Sequence, residues 1–132
     1  MQQPIQSGFN AFSTAQEVIQ GIDLTGKNVV ITGGYAGIGL ETTKALTSAG
    51  AHVIITARDI EKAEKNLTGI ENFELEKIDL MDLASVDSFA ERFVASGRSL
   101  DLLINNAGIM WVPLRRDARG FGSQLATNYL AR

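Results

Sequence analysis

The chain has no cysteine, a single histidine (His52) and only two prolines in 132 residues. The lack of cysteine excludes disulfides, Cys-type zinc sites and thiolate catalysis, and is compatible with a reducing compartment. One histidine excludes a His-rich metal site and argues against a Ser-His-Asp triad. No stretch reaches the roughly 18 apolar residues that a membrane-spanning helix needs. The first basic residue is Lys27, so the amino terminus lacks the charged start of a secretory signal. A net charge of −3 is too mild to predict broad binding to nucleic acid or to a membrane surface. The expected location is cytoplasmic.

What remains is a globular composition, 45% apolar and 20% charged, long enough for one domain and too short for two. The charge is unevenly placed. Residues 1–113 carry 8 basic and 14 acidic side chains, a net of −6, whereas residues 114–132 carry Arg115, Arg116, Arg119 and Arg132 against Asp117 alone, a net of +3. That basic segment reads as a solvated turn and helix start, or as a surface that meets phosphate or another chain segment.

Along the chain two periods alternate. Residues 1–24 form an arm in which Ser13 and Gln16 suggest a capping box, predicting a short helix over Ser13–Gln20 that Gly21 ends. Lys27–Thr32 and Ala51–Thr56 are compact β-branched runs of the kind that make buried strands. Phe73–Ile78 alternates and suits a third strand, and Leu100–Ile104 is a fourth. Helical patterns lie between them. Ile38–Ser48 puts Ile38, Ala45, Leu46 and Ala49 toward one face; Ile60–Leu67 is charged and amphipathic; and Leu83–Ser96, capped by Asp82, repeats Val86, Phe89 and Phe93. A last helix is expected near Asp117, carrying Phe121, Leu125 and Tyr129. Strict alternation of strand and helix predicts parallel strands joined by right-handed crossovers, an α/β doubly wound fold over residues 25–132.

Between the first strand and its helix stands Thr32-Gly33-Gly34-Tyr35-Ala36-Gly37-Ile38-Gly39. A strand that passes through glycines into a helix amino terminus offers free N–H groups and a favourable dipole to an anion. The spelling is Thr-Gly-x-x-x-Gly-x-Gly rather than Gly-x-Gly-x-x-Gly. A glycine cluster alone is also compatible with a tight turn that binds nothing, and the flanking strand and helix are what favour a dinucleotide.

Four segments taken together resemble the short-chain dehydrogenase/reductase family. They are Thr32-Gly33-x-x-x-Gly37-x-Gly39, then Asp79-Leu80 after the third strand, Asn105-Asn106-Ala107-Gly108 after the fourth, and Asn128 in the following helix. Ser13–Gly39 looks like the retinol-dehydrogenase-like and WW-domain-oxidoreductase-like branch. The resemblance implies a Rossmann-type sheet of strand order 3-2-1-4. It also implies a cofactor site made of Thr32, Gly33, Tyr35, Ala36, Gly37, Ile38, Gly39, Asp79, Leu80, Asn105, Ala107 and Gly108, with Asn128 as the active-site asparagine. Read singly, Asp79 could cap a turn, Asn105 and Asn106 could be turn residues, and Asn128 could be an ordinary polar residue of a helix.

At the end of the second strand the resemblance places Ala57 where an NAD-selecting acid would stand, followed by Arg58, whose guanidinium can pair with a 2′-phosphate. NADP(H) is therefore expected over NAD(H), unless Asp59 neutralises Arg58 instead of capping the next helix. His52 is expected to be structural, and Met110 and Trp111 to pack beneath a loop or to line a substrate pocket. The family's proton-transfer pair is spelled Tyr-x-x-x-Lys, and neither Tyr35 nor Tyr129 has a lysine four residues later. The expectation is thus the amino-terminal part of an oxidoreductase acting on a small alcohol, aldehyde or ketone, lacking its Tyr/Lys pair and cut short after the fourth strand and its helix. Alternatives are a nucleotide-binding module completed by another chain through the exposed edge of the fourth strand, and a non-catalytic remnant.

Overall fold

The β-branched runs of the sequence become the centre of a parallel sheet. In the computed structural model, which describes residues 6–131, β1 (Asn28–Thr32), β2 (His52–Ala57), β3 (Phe73–Lys77) and β4 (Leu102–Ile104) stand in the order 3-2-1-4. All pairings are parallel, with Val30 opposite Ile54 and Leu103, and Ile55 opposite Leu75. Residues 1–5 of the arm and Arg132 of the basic segment lie outside the described residues.

Helices α1 (Ala15–Ile19), α2 (Gly37–Ser48) and α3 (Ile60–Asn66) are joined to this sheet by short connections. On one face Val29, Ile31, Val53 and Ile55 pack with Leu46 of α2 and with Ala63 and Leu67 at α3, a fully apolar core. Phe73 and Leu75 of β3 join that face, so Glu74 and Glu76 point to the other. There α4 (Leu83–Ala95) meets them: Arg92 Nη2 donates to Glu76 Oε2 at 2.8 Å, and Arg98 Nη1 to both Glu74 oxygens at 2.9 and 3.0 Å. One face is closed by hydrocarbon and the other is strapped by ion pairs.

Several boundaries differ from expectation for identifiable reasons. Thr14, not Ser13, caps α1: its hydroxyl accepts from the Glu17 N–H, and the Glu17 carboxylate accepts from the Thr14 N–H at 2.6 Å, a stronger reciprocal box than Gln16 would supply. Ile38 is 83% exposed, and the buried face of α2 instead carries Gly39, Thr43, Ala45 and Leu46. β4 begins at Leu102 because Asp101 turns its carboxylate to the Asn28 N–H and to Lys27 Nζ, each at 2.9 Å.

The last helix does not start near Asp117. That carboxylate accepts from the N–H groups of Arg119 and Phe121 at 3.0 and 2.9 Å and from the Arg119 guanidinium, closing a turn rather than opening a helix. A short helical turn, α5 (Ser123–Leu125), follows and continues as a π-helical segment over Ala126–Leu130. Arg116 is likewise spent locally, on the Gly120 carbonyl at 2.7 Å.

Candidate functional site

At the carboxyl ends of the strands lies an open cleft of about 430 Å³. Ligands of open parallel sheets bind at this position, where the strand order reverses on either side of β1. From one side it is bordered by Gly33, Tyr35, Ala36, Ile38 and Gly39 of the glycine turn. From the other come Ala57 and Arg58 at the end of β2, Asp79 and Leu80 after β3, and Asn106 to Ile109 after β4.

The turn is shaped by close approach. Gly33 and Gly37 sit at φ +67° and +53°, a left-handed conformation that side chains rarely adopt. A Cβ on Gly33 would press Ala107 at 3.2 Å, and one on Gly39 would collide with the Asn106 amide and the Gly33 carbonyl. The turn then feeds α2, whose amino terminus has no side-chain cap and no acid in its first turn. Helices α1, α3 and α4, by contrast, are capped by Thr14, Asp59 and Asp82. Backbone held this close to open space, with uncapped N–H groups at a positive helix end, fits a bound phosphate.

Asn106 ties the site together. Its Nδ2 donates to the Thr32 and Gly33 carbonyls at 3.0 and 3.2 Å, while the Ala107 N–H donates to Thr32 Oγ1 at 2.9 Å. Asn105, its neighbour in the motif, is exposed, lies outside the cleft and makes no side-chain hydrogen bond among the described residues. Alternation along the chain after β4 separates the two, but only the fold reveals which one faces the turn. Thr32 and Gly37 shape the turn without bordering the cleft.

Arg58 borders the cleft and forms no ion pair among the described residues. Asp59 Oδ1 instead accepts from the Lys62 N–H at 3.0 Å, capping α3. Asp79 does both things considered for it: Oδ1 accepts from the Met81 N–H at 2.9 Å, closing a turn, and the residue borders the cleft. Asn128 stands outside the cleft, with both ends of its amide taken by Ile109: the Ile109 N–H donates to Oδ1 and Nδ2 donates to the Ile109 carbonyl, each at 2.8 Å. It fixes the loop after β4 from within the π-helical segment Ala126–Leu130. Trp111 is 90% exposed at φ +58° and Met110 is also exposed, so neither packs beneath a loop. Cleft residues that the motifs did not indicate are Thr56, Ile78, Ile109 and Thr127, apolar or buried positions without a distinctive sequence signal.

The perturbed carboxyl groups lie elsewhere. Although burial raises Glu74, hydrogen bonds from His52 and Arg98 bring it below its ordinary value; His52 Nε2 lies 2.8 Å from Glu74 Oε1. The Asn28 N–H and Lys27 hold Asp101 low at the opposite end of the sheet. Asp117 is raised by burial but lowered further by Arg119 and the Phe121 N–H. These groups stabilise structure rather than poise a proton at the cleft.

Residues 27–131 match the family model described as short chain dehydrogenase. The chain is 40% identical over 131 residues to a chloroplastic short-chain dehydrogenase, TIC 32 B of Brassica napus, covering 95% of this chain and 41% of that protein. It is 44% identical over 115 residues to retinol dehydrogenase 12 of Homo sapiens, covering 83% and 36% respectively. A metagenomic short-chain oxidoreductase solved in complex with NADP superposes with a TM-score of 0.69 at 32% identity, covering 82% of this chain and 51% of that one. The chain spans about two-fifths of the length of the curated relatives it matches.

Proposed function

The chain belongs to the short-chain dehydrogenase family, and from that premise we propose that it is the cofactor-binding part of an NADP(H)-dependent oxidoreductase acting on a small alcohol, aldehyde or ketone. In this reading residues 1–24 are an arm and residues 25–132 the dinucleotide-binding unit. The glycine turn (Gly33, Tyr35, Ala36, Ile38, Gly39) holds the diphosphate, Asp79 and Leu80 border the adenine, and Ala107 and Gly108 continue the floor. When bound, the nicotinamide supplies or accepts the hydride. Asn128 orients the loop at Ile109 rather than touching the reacting atoms. The sequence contains no Tyr-x-x-x-Lys, so the proton-transfer pair of such an enzyme belongs to further polypeptide.

The observation that carries the cofactor preference is Arg58: a guanidinium on the cleft rim, after Ala57, with Asp59 occupied as a helix cap. An arginine there with no ion pair among the described residues is matched to a 2′-phosphate, and the NADP complex of the metagenomic relative supports the same choice. Ile38, exposed on the cleft border, and Met110 and Trp111, exposed next in sequence to the cleft residue Ile109, support an apolar substrate, as does the retinol dehydrogenase relative. Hydrogen bonds to a charged group contribute about 1.5–3 kcal/mol, so Arg58→Ala should weaken NADPH binding about 10- to 100-fold and NADH binding less than about threefold. Titration of both cofactors decides it, and equal losses sink the preference.

A second reading, a nucleotide-binding module whose sheet is completed by another chain, is favoured by β4. Among the described residues it pairs with β1 alone, and Leu102 and Leu103 are 41% and 55% exposed. Sedimentation with and without NADPH tests self-completion: cofactor binding confined to the dimer supports the module, and binding by the monomer counts against it.

A further inference from the structure

The glycine turn can offer its N–H groups outward only if its carbonyl oxygens are directed elsewhere and kept there. The five from Thr32 to Ala36 each have a donor. Asn106 takes Thr32 and Gly33, the buried Thr43 hydroxyl donates to the Gly34 carbonyl at 2.7 Å, and Asn66 Nδ2 donates to the Tyr35 carbonyl at 3.0 Å. The Ala36 carbonyl accepts the Leu40 N–H at 3.2 Å, the first bond of α2. Asn106 belongs to a motif of the family, but Thr43 and Asn66 belong to none of the motifs that carried the resemblance. Thr43 is one turn and a half into α2, and Asn66 is the last residue of α3.

We infer that Thr43 and Asn66 are positioning residues for the phosphate turn, holding Gly34 and Tyr35 with their carbonyls inward so that the adjoining N–H groups face a diphosphate. Thr43 does so from the core and has a steric share as well. A Cβ on Gly34 would lie 2.7 Å from both Thr43 Oγ1 and Ile31 Cγ2, so the hydroxyl occupies the space that a larger turn residue would need. Asn66 does so from the surface. It also makes α3 a brace between two parts of the cleft, because the same helix is capped by Asp59, next to Arg58, and ends with Asn66 on the Tyr35 carbonyl. The turn is thereby tied to the segment that we propose reads the 2′-phosphate. This inference rests on the proposed cofactor reading for its ligand and not for its geometry.

The test uses Thr43→Val, Thr43→Ser and Asn66→Ala in the full chain, each titrated with NADPH and with adenosine 2′-phosphate, which lacks the diphosphate. Loss of one such hydrogen bond should weaken NADPH about tenfold in Thr43→Val and about threefold in Asn66→Ala, leaving adenosine 2′-phosphate within about twofold. Thr43→Ser, which keeps the hydroxyl, should restore NADPH binding. A merely structural role lowers both ligands together and overturns the inference, as does unchanged binding of both. Hydrogen exchange supplies a readout that needs no ligand: the bonded amides that flank the turn, Gly33 on the Thr56 carbonyl and Leu40 on the Ala36 carbonyl, should exchange about tenfold faster in Thr43→Val and Asn66→Ala, with the strand amides of β1 and β2 unchanged. If the unaltered protein binds no NADPH, the cofactor reading fails, and the exchange result alone upholds or overturns the positioning role.

Discussion

Replacing Asn106 and Asn105 in turn should produce opposite results from adjacent and chemically identical residues. The Asn106 amide serves two carbonyls of the glycine turn, at 3.0 and 3.2 Å, and fills the space against which Gly39 packs. Each such bond contributes about 0.5–1.5 kcal/mol net, and a partly buried carbonyl left without a donor adds its own desolvation cost. Asn106→Ala should therefore destabilise the fold by about 2–3 kcal/mol. Asn105→Ala removes an exposed amide with no side-chain partner among the described residues and should change stability by less than about 0.5 kcal/mol. Urea unfolding followed by circular dichroism reads both, as a shift in midpoint at unchanged slope. Equal costs for the two, or a larger cost for Asn105, would refute the account of how the turn is held.

Core and charge give two further tests. Ile55 of β2 is fully buried, flanked by β1 and β3 and covered by the α2–α3 layer, so Ile55→Ala should cost about 3–4 kcal/mol in the same unfolding assay. Asp101 and Asp117 have folded-state values below their ordinary ones, so the stability they contribute is fully present above about pH 4 and is lost as pH falls through the lowered folded values. Acid titration should show that loss beginning below about pH 4, and Asp101→Asn should flatten it; an unchanged acid limb would count against the ion-paired geometry.

The parallel sense was legible because compact β-branched runs alternate with helical periods, and Val29–Ile31 and Val53–Ile55 are buried as such runs require, whereas the order 3-2-1-4 came with the family's motifs. The cleft was legible where chemistry needs a special residue type: glycine at positive φ in Gly33 and Gly37, and a guanidinium at Arg58. What escaped is bonding between side chain and backbone. Asp117 reads equally well as a helix cap or as the hub of a turn, and only the position of the Phe121 N–H decides it. Thr43, Asn66 and Asn106 act on carbonyl oxygens, which every residue carries, so no letter of the sequence marks their partners. Ile38 broke the apolar period for a related reason, since the first turn of α2 overhangs the cleft rather than the core.

The two borders of the sheet are unlike. Along β3, Glu74 and Glu76 are locked to the arginines at Arg98 and Arg92, and an incoming strand would have to strip or bury those charges. Along β4 there is only hydrocarbon, Leu102 and Leu103. A filament needs an adhesive border on both sides of every copy, because each unit must receive one neighbour and offer itself to the next. With one border repellent, edge pairing between copies of this chain terminates at two, and a misassembled population would collect as dimers instead of growing into fibres.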